Sequence, residues 1–369
     1  MAKPNDRYFA VVTPGFEKIC AAELRHLGLS EVTQMAGGVE FSGGLRELYL
    51  ANLWLRSATR ILVRVGELQA RDFPTLFKKL LRLPWGRFVK PGSGVKVRAT
   101  SHRSRLTHSG RLEQTCRDAI GRALGTAPEG GGEAVVYLRL DDDRCQVSLD
   151  SSGELLHRRG YRKATVAAPL RETLAAACLL ALGYDGSQAL VDGMTGSGTF
   201  AVEAALIASN RAPGRDRSFA FMTWPKYRAG LWQQLLQEAR KMEKMPSAAI
   251  IAVDSNPKAV AAAQQNLQAA GVEQDVQLDC RPLQELVAET DPGLIICNPP
   301  YGERIGRTAG LQALYRDLGR IYNVSFAGWQ GALVCPDSEL VRSTGSNFVS
   351  SVRFANGGIR VALWEKEKK

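Results

Sequence analysis

From Tyr161 onward the chain repeats one unit, a short apolar run followed by a helical stretch, and this alternation constrains the fold more than any other feature. Runs at 189–192, 248–254, 276–279, 294–297 and 331–334 read as short apolar strands, the run 294–297 as a buried one. Helical stretches lie around them: 169–182, with Pro169 near its first turn, one starting at Thr199, and 257–270. Such alternation predicts an α/β fold with a parallel, doubly wound sheet. The last two runs, 348–354 and 359–364, flank Asn356-Gly357-Gly358 and predict an antiparallel hairpin at the sheet edge.

Open sheets of this kind bind ligands beyond the carboxyl ends of their strands, so the residues that close each run are the candidate site. Asn298-Pro299-Pro300-Tyr301 follows the run 294–297. An Asn stiffened by two prolines presents a fixed amide oxygen and a fixed backbone carbonyl, which can accept both N–H bonds of one exocyclic amine and free its lone pair for attack. Tyr301 can stack on the base that carries the amine. The run 189–192 enters the turn Asp192-Gly193-Met194-Thr195-Gly196-Ser197-Gly198, whose spacing is not the G-x-G-x-x-G of a dinucleotide site. Gly196 and Gly198 allow close backbone approach to a ligand. Asp192 can anchor an ammonium, Asp254 a ribose diol, and Asp279 an adenine amino group. That set fits S-adenosylmethionine, which has all three groups and no phosphate. Thr195 and Thr199 either cap the following helix or touch the ligand.

The first half of the chain has a different character. From Met1 to Thr165 there are 27 Lys and Arg against 17 Asp and Glu, whereas the remainder has 21 against 20. The formal net charge of +11 therefore resides in the N-terminal half, as expected of a phosphate-binding module joined to a near-neutral domain. Strands are expected at 8–12, 61–65, 94–99, 135–140 and 145–149, helices at 15–27, 73–81 and 109–124, and a hairpin at 31–41 pivoting on Gly37-Gly38. Asp141-Asp142-Asp143 reads as a solvated turn, and the glycine-rich stretch 129–133 as a flexible loop tip. Seven scattered cysteines without a C-x-x-C pair, and four histidines, suit free thiols in a reducing cytosol and offer no zinc spacing. No signal-peptide or membrane-spanning run is present. The expectation is a cytoplasmic, monomeric protein without metal or membrane attachment.

On these motifs the chain resembles the class I methyltransferases of the amino type, and more closely the THUMP-domain RNA guanine-N2 methyltransferases. The resemblance covers nearly the whole length. It rests on Asp192 to Gly198, on Asn210-Arg211-Ala212-Pro213-Gly214 with Phe219-Ala220-Phe221 and Trp224-Pro225, on Ala252-Val253-Asp254-Ser255-Asn256-Pro257, and on Asn298-Pro299-Pro300-Tyr301-Gly302-Glu303-Arg304. The extended last block looks like the branch acting on large-subunit (23S) ribosomal RNA. The DNA adenine methylase label that the N-P-P-Y motif alone attracts is set aside. The resemblance implies a ferredoxin-like segment over 1–60, a THUMP RNA-binding domain over 61–160, and a Rossmann-like catalytic domain over 161–369 with a mostly parallel seven-stranded sheet. Residues 161–369 would then fold and bind cofactor alone. It further implies direct methyl transfer from S-adenosylmethionine to a guanine N2 amine, with Asn298, Pro299, Pro300 and Tyr301 at the acceptor and no covalent enzyme intermediate. Structured RNA would be held by Lys96, Arg98, His102, Arg103 and Arg105 in a THUMP-like strand, loop and helix, and by Arg158 and Arg159 at the junction. Ribosomal RNA is the expected substrate, with transfer RNA the rival. A non-catalytic RNA-binding assembly factor is the alternative from another class, against which the intact acids and Asn298 argue. Some relatives carry a second methyltransferase domain at the C-terminus; this chain ends without one, so a second modification is not expected of it.

Overall fold

In the computed structural model, residues 6–125, 134–166, 170–288, 292–301, 308–336 and 338–367 are described. The glycine-rich stretch 129–133, Pro169 and Gly302-Glu303-Arg304 lie outside them. Two compact units are present, one made of Met1–Val12, Ala21–Leu156 and Arg217–Gln237, the other of Thr13–Cys20, His157–Asp216 and Glu238–Lys369. Each unit therefore contains a segment of sequence that the other half of the chain supplies.

The first unit is built on one seven-stranded sheet. Its elements run β1 (Asp6–Val12), α1 (Glu17–His26, whose first turn belongs to the second unit), β2 (Val32–Met35), β3 (Gly38–Gly43), α2 (Leu45–Trp54), β4 (Ala58–Gln69), α3 (Phe73–Leu81), β5 (Val95–His102), α4 (Ser109–Leu124), β6 (Ala134–Asp141) and β7 (Arg144–Asp150). The strand order is β2-β3-β1-β4-β7-β6-β5. Alternation sets the faces, with Tyr8, Ala10 and Val12 of β1 buried beside Val39, Phe41, Ile61 and Val63. Residues 58–63 of β4 pair with β1 and residues 62–69 with β7, so the expected domain boundary near residue 60 falls inside a continuous strand. Helix α3 starts where expected because the Asp72 side chain accepts from the Thr75 amide at 2.7 Å and Pro74 occupies its first turn.

The segment Arg217–Gln237 completes this unit's core with aromatic side chains. Phe221 stacks on Tyr49 with centroids 4.4 Å apart, Trp232 meets Phe221 edge-on at 5.4 Å, and Trp224 meets Phe88 edge-on at 5.1 Å. The Phe221 amide donates to the Ser151 carbonyl at 3.0 Å, and Arg217 donates to the carbonyls of Glu154 and Leu155 at 2.9 and 3.1 Å.

The second unit contains α5 (Glu172–Ala181), β8 (Leu190–Asp192), α6 (Thr199–Ala208), α7 (Ala229–Lys241, whose first turns belong to the first unit), β9 (Ile250–Asp254), α8 (Pro257–Ala270), β10 (Gln277–Cys280), β11 (Leu294–Cys297), α9 (Thr308–Arg320), β12 (Gln330–Cys335), α10 (Ser338–Arg342), β13 (Phe348–Asn356) and β14 (Ile359–Lys366). Its sheet order is β10-β9-β8-β11-β12-β14-β13. Strands β8 to β12 are parallel, and β14 pairs antiparallel with both β12 and β13. The expected hairpin is there, turning on Gly357-Gly358 at φ +59° and +88°. Val191, Ile251, Val253, Ile295 and Leu333 pack with Tyr315, Leu318, Tyr322 and Phe326 into one buried cluster, each large apolar side chain contributing about 1.5–3 kcal/mol. Phe16, from the segment Thr13–Cys20, packs on Phe354 of β13 with centroids 5.0 Å apart. Gly15 permits that approach: at φ +104°, an added Cβ would strike the Arg353 carbonyl.

Candidate active site

Strand β8 is flanked by β9 on one side and β11 on the other. The chain order reverses there, which opens a crevice beyond the carboxyl ends of the strands. Asp279, Asp254, Asp192 and Asn298 occur in that spatial order at the ends of β10, β9, β8 and β11, on strands spaced about 4.8 Å apart. Four residues distant in sequence thus share one rim.

The turn after β8 is pinned to both neighbouring strands. The Gly193 amide donates to the Ile296 carbonyl at 3.1 Å and the Thr195 amide to the Val253 carbonyl at 2.9 Å. The Gly196 amide donates to Asp254 Oδ2 at 2.9 Å, while Asp254 Oδ1 accepts from the Asn256 amide at 2.9 Å. Gly198 caps α6 in the left-handed region at φ +82°, where an added Cβ would also crowd Ala263. The helix therefore has no side-chain cap, and neither threonine plays that part. Thr195 donates its hydroxyl to Asp192 Oδ2 at 2.7 Å, and Thr199 accepts from Arg162 at 3.2 Å.

Asp192 is 1 % exposed, and its Oδ1 has no hydrogen-bond partner among the described residues. Burial pushes its carboxyl up to about 7 against hydrogen bonds from the Thr195 hydroxyl and the Ala201 and Met194 amides, with the Asp254 charge adding to the rise. Asp279 Oδ2 is already engaged, accepting from Gln277 at 3.0 Å and lying 3.4 Å from Arg281. Its position at the strand end is as expected, but its carboxylate is shared.

At the end of β11, Asn298 Oδ1 is buried and also lacks a hydrogen-bond partner among the described residues. A buried acceptor left unsatisfied costs about 1–3 kcal/mol, and these two oxygens lie on adjacent strands. Pro299 is buried, and Pro300 and Tyr301 are partly so. Burial raises the Tyr301 phenol above its usual range, against a hydrogen bond from the Asn356 side chain. Cys297, immediately before Asn298, has its thiol pushed up to about 12 by burial, so it stays neutral and is no nucleophile.

Two positioning residues escaped the sequence reading. Asn356, at the hairpin turn, tethers Tyr301. Asn266 is 1 % exposed on α8 and joins the turn after β8 to the segment before α5. Its Oδ1 accepts from the amides of Lys163 and Ala164 at 2.7 and 3.1 Å, and its Nδ2 donates to the carbonyls of Ser197 and Ala164 at 2.8 and 2.9 Å. A lone Asn on the apolar face of a helix was the available signal.

The basic candidates divide. Lys96 and Arg98 project from exposed alternate positions of β5. That strand runs on through His102, which was expected in a loop. Its parallel pairing with β6 carries it so far. His102 lies 3.2 Å from Asp141, and Arg103 pairs with Asp141 and Asp142 at 3.1 and 3.2 Å. The acidic turn thus offsets part of this loop's charge. Arg105 is exposed, its amide donating to Asp143 at 2.7 Å. Arg158 is exposed, but Arg159 departs from expectation. Its side chain is 3 % exposed and pairs at 3.2 Å with buried Glu203, which also accepts from Tyr161 at 3.0 Å. Burial makes Arg159 an internal ion-pair partner rather than a surface cation.

Comparison with known proteins agrees with this geometry. Residues 159–363 match a family described as the RMKL-like methyltransferase domain, 7–62 the RlmL ferredoxin-like domain, and 70–150 the THUMP domain. The chain is 36 % identical over 378 residues to the ribosomal RNA large subunit methyltransferase K/L of Syntrophotalea carbinolica, covering 97 % of this chain and 53 % of that protein. It is 32 % identical over 370 residues to the Synechocystis protein named "Putative RNA methyltransferase slr0064", covering 98 % of this chain and 96 % of that one. The solved structure of SMU.472 in complex with SAH superposes with a TM-score of 0.90 at 30 % identity, covering 100 % of this chain and 99 % of that one. The chain spans about half the length of the K/L relatives it matches.

Proposed function

Since this chain belongs to the RMKL-like methyltransferase family, we propose that it is an S-adenosylmethionine-dependent enzyme that methylates the exocyclic N2 amine of a guanine in large-subunit ribosomal RNA. The observation that carries the reading is the pair of buried oxygens, Asp192 Oδ1 and Asn298 Oδ1, without a hydrogen-bond partner among the described residues, on adjacent strands at the reversal of chain order. Two oxygens so placed suit two donors, an ammonium and an aromatic amine. The K/L relatives, by name, act on ribosomal RNA of the large subunit, and the THUMP match over 70–150 supports an RNA substrate.

When bound, S-adenosylmethionine supplies the electrophilic methyl group on its sulfonium. The residues of the chain do the rest. Asp192 accepts from the amino acid ammonium, and the second lone pairs of the Asp254 oxygens suit a ribose diol. Asn298 Oδ1 and the Pro299 carbonyl accept the two N–H bonds of the guanine amine, which turns its lone pair toward the crevice. The Tyr301 ring, held through Asn356, stacks on the base. A guanine N2 amine in a paired helix is out of reach, so the nucleotide is flipped out or drawn from an opened loop. Lys96, Arg98 and Arg105 would meet phosphates and 2′-hydroxyls rather than base edges.

Mass mapping of methylated guanosines in ribosomal and transfer RNA, with and without the protein, tests the proposal. An N2-methylguanosine in large-subunit RNA that depends on the protein is the expected result. The same mark confined to transfer RNA would move the substrate to the rival class, and a modified adenine or no modification would overturn the reading.

A further inference from the structure

The second unit contains a cavity of about 490 Å³ at some remove in sequence from the strand-end residues, lined by His157, Arg158, Arg162, Arg171, Glu172 and the turn Asn356-Gly357. Three arginines and one histidine thus line it beside a single glutamate. That carboxylate is spoken for: Glu172 accepts from Arg162 at 2.9 Å, and Arg162 also donates to the Leu170 carbonyl at 2.8 Å and to Thr199 at 3.2 Å. Arg162 holds the wall together, while Arg158 and Arg171 are exposed residues on the lining. His157 shows the sign of the field. Burial first, then Arg171, Arg158, Arg159 and Arg162, hold its imidazole down to about 4, so it is neutral, and its buried Nδ1 has no hydrogen-bond partner among the described residues. Asn356, which also lines the cavity, is the residue whose side chain bonds the Tyr301 phenol.

We propose that this cavity receives a backbone phosphate of the RNA strand, close to the guanine held at Asn298 and Tyr301; the proposal rests on the RNA methyltransferase reading above. The chemistry favours a phosphodiester. Its two non-bridging oxygens match two guanidiniums, which bind such a group in a planar fork, and the volume admits a phosphate with part of its sugar.

The test uses the full chain, protein-free large-subunit ribosomal RNA and a series of salt concentrations without cofactor. Arg158→Ala combined with Arg171→Ala should weaken binding several-fold and reduce the slope of log K against log salt by about 1, the signature of one lost phosphate contact. Arg171→Lys should recover part of the loss, KM for RNA should rise more than kcat falls, and S-adenosylmethionine affinity by calorimetry should not change. Arg320→Ala, which removes an exposed cation of the same unit, should leave the slope intact. An equal effect from Arg320→Ala would reduce the cavity to bulk charge and overturn the proposal. Loss of cofactor affinity in place of RNA affinity would make it the site of the cofactor's carboxylate. An unchanged slope would show no anion there. Failure of the methyltransferase reading looks different: the wild-type protein would bind this RNA and leave its guanines unmodified, with the slope result standing, whereas no RNA binding by the wild type would overturn both.

Discussion

At the scale of single residues, Asn298 and Asp192 separate the acceptor from the cofactor side of the rim. Asn298→Ala should lower kcat by about 10²-fold or more while S-adenosylmethionine affinity stays within a few-fold, because the side chain acts on the acceptor amine. Near-normal turnover would sink that assignment. Asp192 makes a prediction in pH. Its carboxyl is held up to about 7 in the folded protein but ionises near 4 in an unfolded chain. The stability it contributes to the cofactor-free protein is therefore full below pH ~4 and is lost as pH rises through ~7. An ammonium needs the ionised form, so cofactor affinity should rise over the interval in which the cofactor-free protein weakens. Melting temperatures from pH 5 to 8, with and without cofactor, check both signs, and Asp192→Asn should flatten the cofactor-free curve and bind cofactor poorly. An unaltered curve in that variant would assign the pH dependence elsewhere. These residues were legible in the sequence because each closes an apolar run, where topology puts chemistry. Asn266 and Asn356 were not, because their importance lies in the partners they reach, some 69 to 103 residues away for Asn266.

Among the elements, the strands of the second sheet could be read almost residue for residue. Strands β8, β9, β11 and β12 are buried almost throughout and leave apolar runs with little else to be, whereas β10 and β13 are partly exposed. Helix α2 was missed for a related reason. It is buried at Leu48, Tyr49, Leu50, Ala51, Asn52 and Leu53, nearly all round, so the periodicity that betrays an amphipathic helix is absent. The turn after β8 was recognised by its glycines, but the tie from its Ser197 carbonyl to the amide of Asn266 was not. Asn266→Ala would leave two amides and two carbonyls short of partners, for a loss of about 3 kcal/mol or more. Denaturant unfolding should show that loss, and calorimetry a weakened cofactor site. A variant as stable as the parent would mean that water replaces the amide.

For the molecule as a whole, charge and chain path matter most. Replacing Lys96 and Arg98 with Ala should weaken RNA binding across sequences and flatten its salt dependence, leaving the cofactor isotherm where it was; an unaltered salt slope would place the phosphate contacts elsewhere. The membership of the two units bears on the sequence-based expectation of an independent fragment 161–369. That fragment lacks Thr13–Cys20, so Phe354 loses Phe16, and it carries Phe219, Phe221, Trp224 and Trp232 away from Tyr49 and Phe88. It should melt well below the full chain or aggregate; a soluble fragment with undiminished cofactor affinity would contradict this. Contacts across so many residues leave no local signature, which is why Phe219-Ala220-Phe221 and Trp224-Pro225 could be read as a motif but not placed. The path also sets a timetable for synthesis. A ribosome that has released the first 156 residues has made every strand of the first sheet but none of the rings that close over Tyr49, and some eighty further residues must follow before Trp232 and Gln237 emerge. The N-terminal half, first to be translated, is thus obliged to wait on the second for its own completion.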